Sequence, residues 1–232
     1  MSSTKRGSKP MDDDIYMTNL ETIDTFLDVF PLKNKLILEP CAGSGNIIKA
    51  IRCRSTDNHL YAIEKRPEEK DVLQIWADDV EITDFRNYHR VFYHDCIITN
   101  PPFSIAQEII EHCFEITDPQ KAEIIMLLRL GFLASSERKS FWYRHPLTQL
   151  YILSKRPSFG QNAKCKNPKS DNLAQTSFSF GCGWHQFYSL GVNPPRICPS
   201  CGGTKIEIAK TDSTDYGWFV WSNLRQPLIK SI

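Results

Sequence analysis

No apolar run in this chain approaches the ~18 residues that a membrane span requires, so no transmembrane segment is expected. The stretch from Met1 to Pro10 is basic but lacks the apolar centre of a secretory signal. Together these absences point to a cytoplasmic protein with no membrane partner. An excess of charge of one sign is also missing. Lys and Arg total 28 against 27 Asp and Glu, giving a net charge of +1 and a pI near 7.6. Nucleic-acid-binding domains are often more basic, so bulk charge names no partner. A local cluster would have to supply such contacts, and Lys155, Arg156, Lys164, Lys166 and Lys169 form one.

What is present fits one core domain with room for a small appendage: 232 residues, 41% of them hydrophobic. Residues 1–14 are polar and read as a tail. Cys41, Cys53, Cys96 and Cys113 are scattered through apolar or motif-bearing segments and read as reduced core or near-core residues. The other four of the eight cysteines lie within residues 165–201.

Apolar periodicity predicts a helix from Thr18 to Phe30, stopped by Pro31, and further helices over Asn46–Cys53, Pro67–Leu73, Ile105–Phe114 and Glu137–Tyr143. Strands are predicted at 36–38, 61–63, 74–77, 96–99, 122–128, 149–153 and 216–221. Strands alternating with helices imply a doubly wound, Rossmann-like α/β sheet, and their near-continuous apolar character suits a sheet covered on both faces. Residues 157–214, rich in Ser, Asn, Pro, Lys and Gly, break the pattern. They read as an insertion before the last strand, leaving 15–156 and 215–232 as the main domain.

Ligands of such sheets sit beyond the C-terminal strand ends. Glu39, Glu64, Asp78 and Asn100 are all predicted to stand at such ends. The turn Glu39-Pro40-Cys41-Ala42-Gly43-Ser44-Gly45, followed by Asn46, lets backbone amides approach a ligand closely. It lacks the full dinucleotide fingerprint. Glu64 lies 19 residues past Gly45, where a carboxylate can accept hydrogen bonds from ribose hydroxyls.

The second turn, Asn100-Pro101-Pro102-Phe103, follows the apolar strand ending in Ile97-Ile98-Thr99. An exocyclic amine conjugated with its ring is a poor nucleophile. Two acceptors aimed at its hydrogens, the Asn100 side-chain carbonyl and the Pro101 backbone carbonyl, favour pyramidal geometry and stabilise the positive charge that develops. Pro101 and Pro102 stiffen the turn, and Phe103 offers a flat face for stacking.

This pair of turns resembles the S-adenosylmethionine-dependent methyltransferases that act on exocyclic amines, above all the phage-type DNA adenine-N6 enzymes. The resemblance spans roughly residues 14–160 plus Tyr216–Trp221. It implies S-adenosylmethionine as cofactor and DNA as partner, with direct attack by a flipped-out adenine. It assigns Glu39 to Gly45 to the first cofactor motif and Glu64 to the ribose. Asp78, or its neighbour Asp79, falls to the cofactor's adenine amine. Tyr16 and Thr18 match the segment whose Thr reaches the methionine carboxylate, with helix capping the other reading of Thr18. Arg129, Arg138, Lys139 and Arg144 are candidates for holding a distorted DNA strand. The same chemistry on RNA adenine, cytosine-N4 or protein glutamine is an alternative, as is a non-catalytic zinc-containing nucleic-acid-binding protein on the same scaffold.

Cys198-Pro199-Ser200-Cys201-Gly202-Gly203 has the form of a zinc knuckle, whose turn aims two thiolates at one ion. Cys182-Gly183-Trp184-His185 has the same gap, and 12 residues separate His185 from Cys198. That spacing suits a small zinc-ribbon-like Cys₃His site of Cys182, His185, Cys198 and Cys201, with Cys165 the alternative to His185. Structural Zn²⁺ would let so polar a segment fold.

Overall fold

The protein is described by a computed structural model. It describes residues 17–90, 94–117, 120–157, 161–165, 185–188, 195–197, 199–200, 204, 206–210 and 214–232. The chain divides into two compact units. One runs through Lys155 and resumes at Thr214, and the other spans Arg156–Ser213.

In the larger unit, chain order gives α1 (Leu20–Val29), β1 (Leu36–Glu39), α2 (Asn46–Arg54), β2 (His59–Glu64), α3 (Lys70–Leu73), β3 (Asp79–Ile82), β4 (Cys96–Thr99), α4 (Ala106–Ile116), β5 (Glu123–Arg129), α5 (Lys139–Arg144) and β6 (Gln149–Ile152). The smaller unit contributes β7 (Gln161–Cys165), β8 (His185–Tyr188) and β9 (Ile206–Lys210). The chain then returns as β10 (Tyr216–Trp221) and β11 (Leu228–Ser231). The large sheet runs β11-β6-β10-β5-β4-β1-β2-β3. All its pairings are parallel except those of β10, which is antiparallel to both β5 and β6.

Both faces of this sheet are covered, and the alternation along β10 shows how. Trp218 stacks on Phe26 of α1 with centroids 4.7 Å apart. Its neighbour Phe219 faces the other way, meeting Phe132 and Trp142. That second face also buries Ile97, Ile124 and Met126 against Ile109, Ile110 and Cys113 of α4. Period-two alternation on a two-faced sheet leaves no polar side, so β4, β5 and β10 read as continuous apolar runs.

Helix α1 is capped by Asn19, whose Oδ1 accepts from Thr22 N at 2.7 Å. The capping reading of Thr18 is therefore corrected, and its hydroxyl is engaged elsewhere. Two strands also depart from expectation. Residues 74–77 form a turn after α3, with Ile75 67% exposed, and the third strand begins at Asp79. The sheet also gains β11, an exposed edge strand, so the insertion precedes the penultimate strand rather than the last. Among the described residues no helix is long and apolar enough to cross a membrane.

The smaller unit holds a three-stranded antiparallel sheet in the order β8-β7-β9. Lys164 pairs with His185, and the adjacent Cys165 pairs with Ile206. The two residues weighed as fourth zinc ligand thus stand at one end of this sheet. Cys182, Cys198 and Cys201 lie outside the described residues. Among those described, no group of three His, Cys, Asp or Glu is placed to hold a metal ion.

Candidate functional site

A cleft of about 230 Å³ opens at the C-terminal ends of β1 to β4. Each strand end delivers one chemically distinct element. After β1 comes the turn of Pro40, Cys41, Ala42, Gly43 and Ser44. Glu64 closes β2, Thr83 and Asp84 follow β3, and Asn100 follows β4. Met17 and Thr18 enter from the segment before α1.

The glycine turn is built tightly. Ala42 N donates to Ile63 O at 2.9 Å, and Gly45 N donates to Ala42 O at 2.8 Å. Gly43 and Gly45 adopt φ of 55° and 79°, a region in which side chains are strained. At Gly45 an added Cβ would also come within 2.9 Å of Leu73 Cδ2. Glu64 is 6% exposed. Its Oε2 accepts from Gly43 N at 2.7 Å, and its Oε1 accepts from Arg66 N at 3.1 Å and Arg66 Nε at 2.8 Å. The carboxylate expected on the ribose therefore also braces the glycine turn.

Glu39 is 2% exposed, and its Oε2 accepts from Ile48 N at 3.2 Å. Burial pushes its pKa well above the usual carboxylate value, against the hydrogen bond from Ile48; the Glu64 charge adds to the rise. Burial, followed by the charges of Glu64 and Glu39, also raises the Cys41 thiol. Cys41 is therefore a thiol at neutral pH, and the cleft offers no thiolate nucleophile there.

Asn100 lines the cleft with Pro102, while Pro101 is buried behind them. Asn100 Nδ2 donates to Thr18 Oγ1 at 3.0 Å. Asn46, the first residue of α2, donates from Nδ2 to Thr18 O at 2.8 Å. The Thr18 segment is thus tied to both turns. Tyr16 lies outside the described residues.

Among solved structures, the chain aligns over 98% of its length, at a TM-score of 0.54 and 12% identity, with a Listeria monocytogenes protein described as a class I S-adenosylmethionine-dependent methyltransferase, covering 68% of that chain. The fold is that of the class I methyltransferases. A Pyrococcus horikoshii protein described as an RNA methyltransferase aligns with 87% of this chain and 83% of its own at 15% identity and a TM-score of 0.48. Coclaurine N-methyltransferase, solved with N-methylheliamine and SAH, aligns with 47% of this chain at 9% identity and a TM-score of 0.41, and only 34% of that enzyme is covered. Neither a protein-family model nor a curated protein matches the sequence.

Within this methyltransferase fold, Thr18, Glu39, Pro40, Cys41, Ala42, Gly43, Asn46, Glu64, Asn100 and Pro102 come together around the cleft. Gly45 stands just behind it as the residue preceding α2. Asp78 and Asp79 do not join them. Asp79 pairs with Tyr61, near the start of β2, whereas Glu64 pairs with Ile82; the two acids therefore stand at the opposite end of the sheet. Asp78 accepts from Leu60 N at 2.7 Å and pairs with Arg52. Burial opposes its ionisation, but the Leu60 N–H and Arg52 hold its pKa below the usual value. Asp79 meets His59 Nε2 at 2.7 Å.

The acid that follows β3 into the cleft is Asp84, which sequence reasoning missed. Its Oδ1 accepts from Arg86 N and Nε at 3.0 Å, its Oδ2 from Arg86 Nη2 at 2.6 Å, and these bonds hold its pKa down. Phe85 beside it forms part of the cleft wall with Ile47, Ile105 and Ile109. The signal was the alternation Val80, Ile82 followed by an acid and an aromatic residue.

Phe103 does not line this cleft. Arg129 lies over its ring at 4.6 Å, and Tyr216 is 5.6 Å away, tilted by 45°. Of the four suggested DNA-strand contacts, Arg138 lies over Phe132 at 4.3 Å. Arg144 donates to Glu111 at 2.7 Å, and Lys139 is exposed at the start of α5.

Proposed function

We propose that the protein is an S-adenosylmethionine-dependent methyltransferase that modifies the N6 amine of adenine in DNA. The observation that carries this reading is Asn100, at the rim between the cleft and the Pro-Pro-Phe turn, with its amide nitrogen held by Thr18. That bond holds the donor end of the amide, and the proposal assigns the other end, the buried Oδ1, to the target amine.

The cleft's residues fit the cofactor. Glu64 lies where ribose hydroxyls can donate to it, the Gly43 turn admits close approach, Asp84 stands ready for an adenine amine, and apolar side chains wall the ring. When bound, S-adenosylmethionine supplies an electrophilic methyl on sulfonium sulfur. Asn100 Oδ1 and the Pro101 carbonyl accept the hydrogens of the target amine, which frees its lone pair and stabilises the developing positive charge. Phe103 stacks on the extruded base. The adenine preference rests on Asn at the first position of the clamp and Phe at the last.

For the smaller unit we propose one structural zinc ion held by Cys182, Cys198, Cys201 and His185 or Cys165. Support comes from the cysteine spacing. Metal analysis of the purified chain decides it, and a chain without zinc removes the proposal.

Transfer of labelled methyl to duplex DNA, single-stranded DNA, RNA and protein, with nucleoside analysis of the product, tests the main reading. N6-methyladenine in DNA is the expected product. Product in RNA or protein alone moves the activity to that acceptor. No transfer in a folded, zinc-replete sample favours a nucleic-acid-binding protein on a methyltransferase scaffold.

A further inference from the structure

The cofactor cleft takes in Asn100 and Pro102 but not Phe103. The clamp turn therefore separates two surfaces, and the second is built by three neighbouring strands. Phe103 follows β4, Arg129 ends β5 and Tyr216 opens β10; Arg129 and Tyr216 are register partners in the sheet. Arg129 Nε donates to the Tyr216 hydroxyl at 3.2 Å, with its guanidinium carbon 4.6 Å from the Phe103 ring centre. A planar base stacked between guanidinium and ring would need about 7 Å, twice the ~3.5 Å contact distance of carbon atoms. Guanidinium and base therefore cannot share that face of Phe103 in this arrangement.

We propose that Arg129 is the acceptor-recognition residue of this second surface. Its guanidinium occupies the Phe103 face until a base arrives, and then moves to a phosphate flanking the extruded nucleotide. This rests on reading the chain as a nucleic-acid methyltransferase. A guanidinium suits both positions, since it stacks on aromatic faces and binds phosphate in a forked geometry. The move is short for a long, flexible side chain whose backbone is fixed in the middle of the sheet. Tyr216 sets the resting position, and Phe103 is the surface exchanged.

The test is binding of a single-stranded adenine-containing oligodeoxynucleotide to the full chain across a salt series, for wild type, Arg129→Ala, Arg129→Lys and Tyr216→Phe. S-adenosylmethionine binding serves as a check of folding. On a single strand, losing one phosphate contact lowers the slope of log K against log salt by about 0.7 and weakens binding about fivefold at ~0.1 M salt. That is expected for Arg129→Ala, with cofactor affinity retained. Arg129→Lys keeps the slope, because it keeps the charge. Tyr216→Phe also keeps the slope, because the change removes no charge. An unchanged slope in Arg129→Ala overturns the proposal, even if the wild type methylates DNA. A wild type that methylates another acceptor and does not bind the oligonucleotide overturns both this proposal and the DNA reading. Should Arg129→Ala fail to bind cofactor, Arg129→Gln, which keeps the length and the polar head, replaces it with the same slope criterion.

Discussion

Asn100 donates from Nδ2 to Thr18 Oγ1 at 3.0 Å, joining residues 82 positions apart in the chain. A carboxamide has one donor end and one acceptor end, so a bond to the donor end decides where the acceptor points. The segment before α1 thereby sets the orientation of a side chain that the turn after β4 merely supplies.

In the proposed mechanism, Asn100→Ala removes one of the two acceptors on the target amine. Loss of a comparable pre-aimed charge-stabilising group lowers kcat by about 10²- to 10³-fold. The affinity for S-adenosylmethionine, measured by calorimetry, is expected to stay within a few-fold. Methyl transfer at the wild-type rate would remove Asn100 from the mechanism.

Thr18→Val keeps the shape and deletes the acceptor for Asn100 Nδ2. Loss of one such hydrogen bond is worth about 1 kcal/mol, or roughly five- to tenfold in rate. The reduction should appear in kcat at saturating cofactor, and Thr18→Ser should restore it. If Thr18→Val altered only the cofactor KM, the hydroxyl would belong to cofactor binding alone.

Asp84 and Asp78 separate cleanly. Asp84→Asn is expected to weaken S-adenosylmethionine binding by roughly tenfold or more, the cost of losing a charged acceptor on an amine. Asp78→Asn, at the far end of the sheet, should leave that affinity unchanged and lower the melting temperature through its bonds to Arg52 and Leu60. Equal effects on cofactor affinity would contradict this placement.

Glu39 carries a pH signature. Its folded pKa is raised above the ordinary value of 4.5, so the folded state binds more protons than the unfolded state across that window. Stability therefore falls as pH rises from about 4.5 through the raised value. Glu39→Gln keeps an acceptor for Ile48 N and removes the ionisation. Its melting temperature should lose most of the decline seen as pH rises above the ordinary carboxylate range, and a decline identical to wild type would contradict the assignment.

At the opposite end of the sheet from the cleft, Glu123 is 2% exposed, meets Lys35 Nζ at 3.1 Å and is paired with Arg225. Arg225 in turn lies 3.8 Å from the centre of the Phe30 ring. Glu123→Ala leaves both cations without their partner. Breaking a buried pair costs about 3 kcal/mol, discounted here because both cations are partly exposed. Denaturant unfolding should show a loss of that order, with cofactor affinity of the remaining folded protein unchanged.

Strands buried on both faces were legible in the sequence because nothing polar interrupts them: Leu36-Ile37-Leu38, Cys96-Ile97-Ile98-Thr99 and Tyr216–Trp221 lie within or coincide with the observed strands. The edges were not. At β3, Asp79 and Glu81 alternate with Val80 and Ile82, so a half-buried edge strand looks like a charged loop. Gln74-Ile75-Trp76-Ala77, with its run of apolar residues, looks like a strand but forms a turn. That misplacement put the acid expected after the third strand at Asp78 and Asp79, whereas the acid that lines the cleft is Asp84. For β11, Leu228-Ile229-Lys230-Ser231 is exposed at every position, and backbone pairing with β6 holds it without a burial pattern to read. The Thr18–Asn100 bond was out of reach for a different reason: no local rule connects a residue before α1 to one after β4.

The antiparallel strand β10 lies between β5 and β6, yet the chain reaches it only after passing through the whole smaller unit. As the ribosome delivers this protein, β6 therefore exists before the strand that joins it to β5. Until Tyr216–Trp221 arrives, the nascent sheet has an open slot lined by Ile124–Leu128 on one side and Gln149–Ile152 on the other. Closing it across the long detour costs only modestly more entropy than across a short one, about 0.6 kcal/mol for each doubling of the intervening length. A segment of altered length can therefore be exchanged into the detour at little cost to the closed sheet, whereas the order of synthesis makes β10 the strand whose arrival joins β6 to the rest of the sheet.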